Sequence, residues 1–264
     1  ILSIEPAQRG SLVHAVFETV ALEWLALDAA TRPAWLQGDH LTAAHQRAIE
    51  VLDQLAADIG SQHRLGHQAA WAAERVHILQ SIAAALDAEA KEGCQPVAGE
   101  HSFSGVEVGG VAFRGKIDRI DLMPDGGLRV TDFKTGKVTS ITDPLSDGQR
   151  LQLPLYARAA DHDRAALTDS TGGDWPSATA RYLQVREAAV KETKVALDAT
   201  LIATFEGYIK QWLDEIAAGQ FAPQPHAPKS HCLMCCVDSL GVEELAERAR
   251  EFGGRANDSD ESVE

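Results

Sequence analysis

Between Gly115 and Lys137 the sequence reads GKIDRIDLMPDGGLRVTDFKTGK. Two aspartates and a lysine in this stretch are spaced for chemistry on a phosphate. Asp132 and Lys134 stand two residues apart, so on an extended strand, where side chains alternate between faces, they project to the same side. Asp118 falls on the preceding strand of an expected hairpin, which brings its carboxylate alongside them. Two carboxylates at a sheet edge form a hard-oxygen site suited to Mg²⁺ or Mn²⁺, ions that keep several waters and take one or two carboxylates plus phosphate oxygens. A lysine beside them is able to stabilise transition-state charge or orient the attacking water. The competing expectation is that Asp118 and Asp121 pair with Arg119 and nearby lysines on a solvated strand face.

The elements that must position these residues are legible in the hydrophobic pattern. Leu12, Val13, Val16, Phe17, Val20, Leu22 and Leu25 recur at three- and four-residue intervals, which predicts a helix over 10–30 with His14 in its first turns. Further helices are expected over 42–59 and 65–91, the latter closed by Gly93. From Gly99 the texture changes: Phe103, Val106, Val108, Val111 and Phe113 around Gly109-Gly110 predict two strands joined by a tight turn, the second running through Ile117, Ile120 and Leu122. After Pro124-Asp125-Gly126-Gly127 a third strand is expected over 128–134, then a helix over 148–160, a strand over 178–186 and a helix over 197–218. On that last helix Phe205, Ile209, Trp212, Leu213 and Ile216 lie to one side. A short charged helix is expected over 242–252. Helices, a meander, then helix, strand and helix suit an α/β or α+β sheet with helical cover.

With hydrophobic residues at 45% and charged residues at 24% of 264, the chain is long and apolar enough for one large domain or two small ones. A net charge of -15 argues against a general basic nucleic-acid binder, though not against a cleft whose cations are divalent metals. No apolar stretch approaches the roughly 20 residues that span a bilayer, and the opening ILSIEPAQRG lacks the pattern of a signal peptide, so a cytoplasmic location is expected. The sequence opens on Ile1, as a segment cut from a longer polypeptide would.

The stretch around Asp118 and Asp132 resembles the core motif of the PD-(D/E)XK nuclease superfamily in its RecB and AddB branch: a Gly-x-x-Asp-Arg-x-Asp strand, a turn, then Asp-Tyr/Phe-Lys-Thr-Gly. Two further segments match in the same order. RGSLVHAVFE, Arg9 to Glu18, resembles that branch's helix bearing a metal-binding histidine, here His14, and QLPLY matches its Gln-x-x-x-Tyr helix, here Gln152 and Tyr156. The resemblance covers roughly Arg9 to Tyr156. It implies a restriction-endonuclease-like fold, a central mixed sheet flanked by helices behind a helical N-terminal region. It further implies a Mg²⁺- or Mn²⁺-dependent deoxyribonuclease in which His14, Asp118, Asp132 and the Phe133 carbonyl hold metal, Lys134 positions the water, and the products carry 5′-phosphate and 3′-hydroxyl ends. Glu100, expected to open the first strand, is a weaker metal candidate, and Glu18, one helical turn after His14, a candidate to orient it.

Such relatives act in DNA repair and recombination, some as exonucleases within helicase–nucleases, on DNA with single-stranded character. No G-x-x-x-x-G-K-[ST] occurs here, so a helicase motor would lie in another domain or subunit. The other class of reading is a catalytically inactive module that keeps the fold and clamps single strands. An unrelated acidic phosphatase shares the metal chemistry but has no use for the Gln-x-x-x-Tyr helix. Many relatives also carry C-terminal cysteines that hold a [4Fe–4S] cluster. Cys232 and Cys235 match the first two, but Cys236 is off the usual spacing, Gly241 stands near the third position, the remaining cysteine would precede Ile1, and Cys94 lies in another region. Free thiols are therefore the first expectation; such a cluster, or zinc on Cys232, Cys235 and His231 or Cys236, are the alternatives. The expected organisation is one nuclease domain over 1–253, with a helical region over 1–98, a catalytic core over 99–218 and a cysteine-bearing segment over 219–253, then a disordered tail over 254–264.

Overall fold

A computed structural model describes residues 4–60, 65–136, 145, 151–167, 178–186, 189–196 and 198–220. The chain divides into two compact units, Ile1–Glu206 and Gly207–Glu264. In the first, helices α1 (Pro6–Leu25), α2 (Asp39–Gly60) and α3 (Gln68–Ala90) precede strands β1 (Gln95–Val108), β2 (Val111–Leu122) and β3 (Leu128–Lys134). Helix α4 (Gln152–His162) and the single turn α5 (Arg164–Leu167) lead to β4 (Thr179–Arg186) and β5 (Ala189–Ala196). Helix α6 (Ala199–Ala217) begins in the first unit, and the described portion of the second is its remainder and the residues up to 220.

The five strands lie in the order β1-β2-β3-β4-β5; the β3–β4 pair is parallel and the others antiparallel. A parallel pair needs a crossover, and α4 lies within it. This is the expected mixed α/β sheet with helical cover and N-terminal helices. Strand register sorts the side chains. The pairs Asp132↔Tyr182 and Lys134↔Gln184 face one way, toward α4, while Thr131↔Arg181 and Phe133↔Leu183 face the other. On that second face Phe133, Leu183 and Val185 join one apolar core with Leu12, Val16 and Phe17 of α1, Leu52 of α2, and Ile78, Ile82 and Leu86 of α3. Among the described residues no helix is long and apolar enough to cross a membrane.

Several elements differ from the sequence expectation. Helix α1 stops at Leu25 because Asp28 turns the chain, its carboxylate accepting from Ala30 N at 2.8 Å, while the Arg32 guanidinium takes the Leu25 and Leu27 carbonyls at 2.6 and 2.8 Å. Strand β1 begins at Gln95, so Glu100 lies within it rather than opening it. Strand β5, AVKETKVA, was not expected at all: it is an edge strand, where charge is favoured over an apolar run. On α6, Phe205 and Ile209 are buried but Trp212 and Ile216 are exposed, so the expected apolar side is covered only in part. The expected helix over 242–252 and the tail over 254–264 lie outside the described residues.

Candidate active site

The β2–β3 ladder runs from Leu122↔Leu128 to Arg119↔Thr131. Just beyond it the Asp118 carboxylate takes a main-chain donor: Phe133 N donates to Asp118 Oδ2 at 2.9 Å. The first turns of α1 run beside this end of β3, and Gly10 permits the approach, since a Cβ there would sit 3.3 Å from Thr135 Oγ1. His14 thereby reaches both partners. Its Nε2 lies 2.7 Å from the Phe133 carbonyl oxygen and its Nδ1 3.3 Å from Asp118 Oδ2.

Both acceptors favour the doubly protonated ring. Burial pulls the His14 pKa down, but Asp118, the Phe133 carbonyl and the nearby Asp132 together outweigh it and hold it above its ordinary value. Asp132 is 2% exposed, and that burial pushes its carboxyl above the usual range; Asp118 adds to the rise while Lys134 and His14 oppose it.

Lys134 sits among three groups. Its Nζ is 2.6 Å from Asp132 Oδ2, 3.3 Å from Gln152 Oε1 and 5.1 Å from the centre of the Tyr182 ring. Gln152 opens α4, and one turn later Tyr156 accepts from its Nε2 at 3.1 Å, an i,i+4 contact. Tyr182 O–H donates to Gln152 Oε1 at 3.4 Å. Gln152 thus meets the lysine directly, and Tyr156 holds Gln152. Tyr182 was missed in the sequence because only the β3–β4 register brings it opposite Asp132.

Two acidic side chains border this group. Glu100 adopts a left-handed backbone, φ 50°, and forms an ion pair with Lys116, whose side chain is 56% exposed. Glu18 lies near Glu100, Lys116, Asp118 and His14; burial, then the Glu100 charge, raise its pKa.

His14, Asp118 and Asp132 do not close around a single point: among the described residues no three His, Cys, Asp or Glu side chains form a ready metal cluster. Each carboxylate instead has its own partner, His14 for Asp118 and Lys134 for Asp132. The chemistry of the donors nevertheless fits a hard divalent cation: two carboxylates, one of them buried, a carbonyl oxygen and an imidazole draw positive charge to one strand end.

A profile of the PD-(D/E)XK nuclease superfamily matches residues 2–240. The chain belongs to the PD-(D/E)XK nuclease superfamily. No curated protein matches it. PD-(D/E)XK nucleases generally use divalent metals, and a nuclease fold implies DNA as the substrate.

In this PD-(D/E)XK chain the alternative reading of Arg119 and Asp121 as solvated strand charges is wrong. Both are fully buried, 1% and 0% exposed, on the sheet face opposite the site. Strand alternation hid this, because charged residues at every second position read as an exposed face. His231, Cys232, Cys235 and Cys236 lie outside the described residues. Cys94 is buried beside Arg129, its thiol pushed up to about 12 mainly by that burial.

Proposed function

We propose that the protein is a divalent-metal-dependent deoxyribonuclease that hydrolyses phosphodiester bonds. The carrying observation is the grouping of Asp118, Asp132, Lys134, His14 and the Phe133 carbonyl at one end of the β2–β3 pair, with Gln152 and Tyr156 bracing the lysine. Asp118, Asp132, His14 and the Phe133 carbonyl would hold Mg²⁺ or Mn²⁺. Bound there, the ion would neutralise phosphate charge and lower the pKa of a water.

The chain's own groups have separate tasks. The Phe133 N–H fixes the Asp118 carboxylate before substrate arrives. Burial of Asp132 keeps its neighbourhood poor in water, which strengthens its hold on nearby charge. Lys134 presents an ammonium to the phosphate and orients the attacking water, and its contacts with Asp132 and Gln152 limit the positions that ammonium takes. Water adds to phosphorus and the bond to the 3′ oxygen breaks, leaving a 5′-phosphate and a 3′-hydroxyl.

The order of the histidine helix, the two aspartates and the Gln-x-x-x-Tyr helix supports a role in DNA repair or recombination. In this reading the protein is the nuclease component of a RecB/AddB-like helicase–nuclease or of a related protein, acting as an exonuclease on DNA with single-stranded character. End-labelled single- and double-stranded DNA, incubated with Mg²⁺, Mn²⁺ or EDTA, tests the activity and its strand preference. Cleavage that requires the metal and stops in EDTA is expected. Tight binding without cleavage under every metal would favour the inactive single-strand-binding reading.

A further inference from the structure

Phe133 belongs to two environments at once. Its main chain is in the candidate active site, where the N–H holds Asp118 and the carbonyl faces His14. Its side chain points through the sheet into the core, where the ring stacks on Phe17 with centres 4.3 Å apart and planes 5° apart. Phe17 and His14 both lie on α1, three residues apart, so that helix meets Phe133 at the ring and at the carbonyl together. A shift of the Phe133 main chain that follows its ring would displace both contacts.

The second group on that ring is Arg119, whose guanidinium carbon lies 5.2 Å from the ring centre. Its own position is fixed by two buried carboxylates. Arg119 Nη1 donates to Glu89 Oε2 at 3.0 Å and Nη2 to the other Glu89 oxygen, while Nε lies 2.8 Å from Asp121 Oδ1 and Nη2 donates to Asp121 Oδ2 at 3.1 Å. Glu89 and Arg119 are each 1% exposed and Asp121 0%, so water does not compete for these contacts. A guanidinium forked between two carboxylates has little freedom, and a desolvated cation against an aromatic face is held more strongly than an exposed one.

We propose that Arg119 is a positioning residue of the active site: locked by Glu89 and Asp121, it holds the Phe133 ring and thereby fixes the main-chain groups that set Asp118 and His14. The inference rests on the nuclease reading of that site. It differs from a general stabilising role, and Arg181 supplies the contrast. Arg181 is as deeply buried, at 1% exposure, and donates to the same Glu89 at 2.7 Å. Its other contacts are Thr131, Glu92 and Glu192, at 2.9 to 3.2 Å, and they lead away from Phe133.

The experiment compares the intact wild-type chain with Arg119→Lys, Phe133→Leu and Arg181→Lys, each checked for folding by circular dichroism and thermal midpoint. Three quantities are read: Mn²⁺ affinity by calorimetry, the Phe133 amide resonance, and kcat and KM on DNA. Arg119→Lys is expected to weaken Mn²⁺ binding by about tenfold or more, as loss of a group behind metal ligands commonly does. It should also shift the Phe133 amide and lower kcat with little change in KM. Phe133→Leu, which leaves the Arg119 pairings in place, should reproduce the losses in Mn²⁺ affinity and kcat, so the test survives if Arg119→Lys fails to fold. Arg181→Lys should lower the thermal midpoint and leave all three quantities unchanged.

Equal losses in Arg119→Lys and Arg181→Lys would overturn the proposal in favour of general stabilisation. Wild-type values in Phe133→Leu would overturn it too. A wild-type chain that binds Mn²⁺ but cleaves no DNA would end the nuclease reading instead, and the Mn²⁺ and amide comparison would still decide the role of Arg119.

Discussion

Lys134 is the most informative residue to remove, because its ammonium meets Asp132, Gln152 and Tyr182 while its side chain remains 36% exposed. Little packing depends on it. Lys134→Ala is expected to leave the thermal midpoint nearly unchanged and to lower cleavage by about 10²-fold or more, the usual loss when one preorganised charge is taken from a transition state. Lys134→Arg should rescue poorly, since a planar fork does not occupy the place of a compact ammonium between a carboxylate and an amide. Single-turnover cleavage of labelled DNA measures both, and near wild-type rates in either would remove Lys134 from the chemistry. Asp132→Asn should be equally inactive for a different reason. It keeps the size of a buried side chain and deletes the charge that faces Lys134 and adjoins His14.

At the level of elements, the site depends on how closely α4 approaches the β1–β2 hairpin, and Gly115 controls that distance. The Phe103 ring lies against Gly115, where a Cβ would stand 2.7 Å from its Cζ, and its edge meets Tyr156 with ring centres 6.0 Å apart. Gly115→Ala is expected to cost about 1–3 kcal/mol through overpacking. It should also slow cleavage by pushing Phe103 against Tyr156, the partner of Gln152; an unaltered rate would mean that α4 does not tune Lys134.

On the opposite face, Asp121 is held below its ordinary pKa: burial raises it, but Arg119, Arg129 and Arg181 prevail. A depressed carboxyl contributes stability that is full above its unfolded value of 3.8 and lost as pH falls through the lower, folded value. Thermal midpoints should therefore drop below about pH 4 in the wild type. Asp121→Asn should begin about 3–5 kcal/mol less stable at neutral pH, because it leaves buried arginines short of a charge, and should lack this acid step. The same elements mark what the sequence disclosed. Strand β3 was read to its observed bounds of Leu128–Lys134, since a turn precedes it and its chemistry follows a period of two. The Gln152–Tyr156 helix and the histidine helix were legible from their motifs. Strand β5 and the ion network were not: Lys and Glu on an edge strand break the apolar alternation by which a strand is read, and Arg119, Arg129 and Arg181 on a covered face have the residue types of solvent-facing positions, which only their contacts with Glu89 and Glu92 correct.

For the whole molecule the governing quantity is charge. With 24 Lys and Arg against 39 Asp and Glu, the net charge of -15 repels a polyanion, and Asp118, Asp132, Glu18 and Glu100 concentrate that repulsion near the site. A divalent cation between the aspartates would reverse the local sign, and bound ions are often the largest charges in such a site. Lys116 is partly neutralised by Glu100, whereas Arg114 and Arg158 are exposed on β2 and α4, close in sequence to the site's motifs. Phosphate contacts by these cations would release counterions and make affinity fall with salt. Binding of a labelled oligonucleotide to Lys134→Ala, with Ca²⁺ as a non-catalytic ion, should therefore be markedly tighter than in EDTA. In Ca²⁺ the logarithm of the association constant should decline linearly with that of salt concentration, and Arg114→Ala and Arg158→Ala should each make the slope shallower by about one. Affinity indifferent to both ion and salt would contradict this mode of binding, because metal-bridged phosphate contacts depend on the divalent ion and arginine-mediated ones on salt.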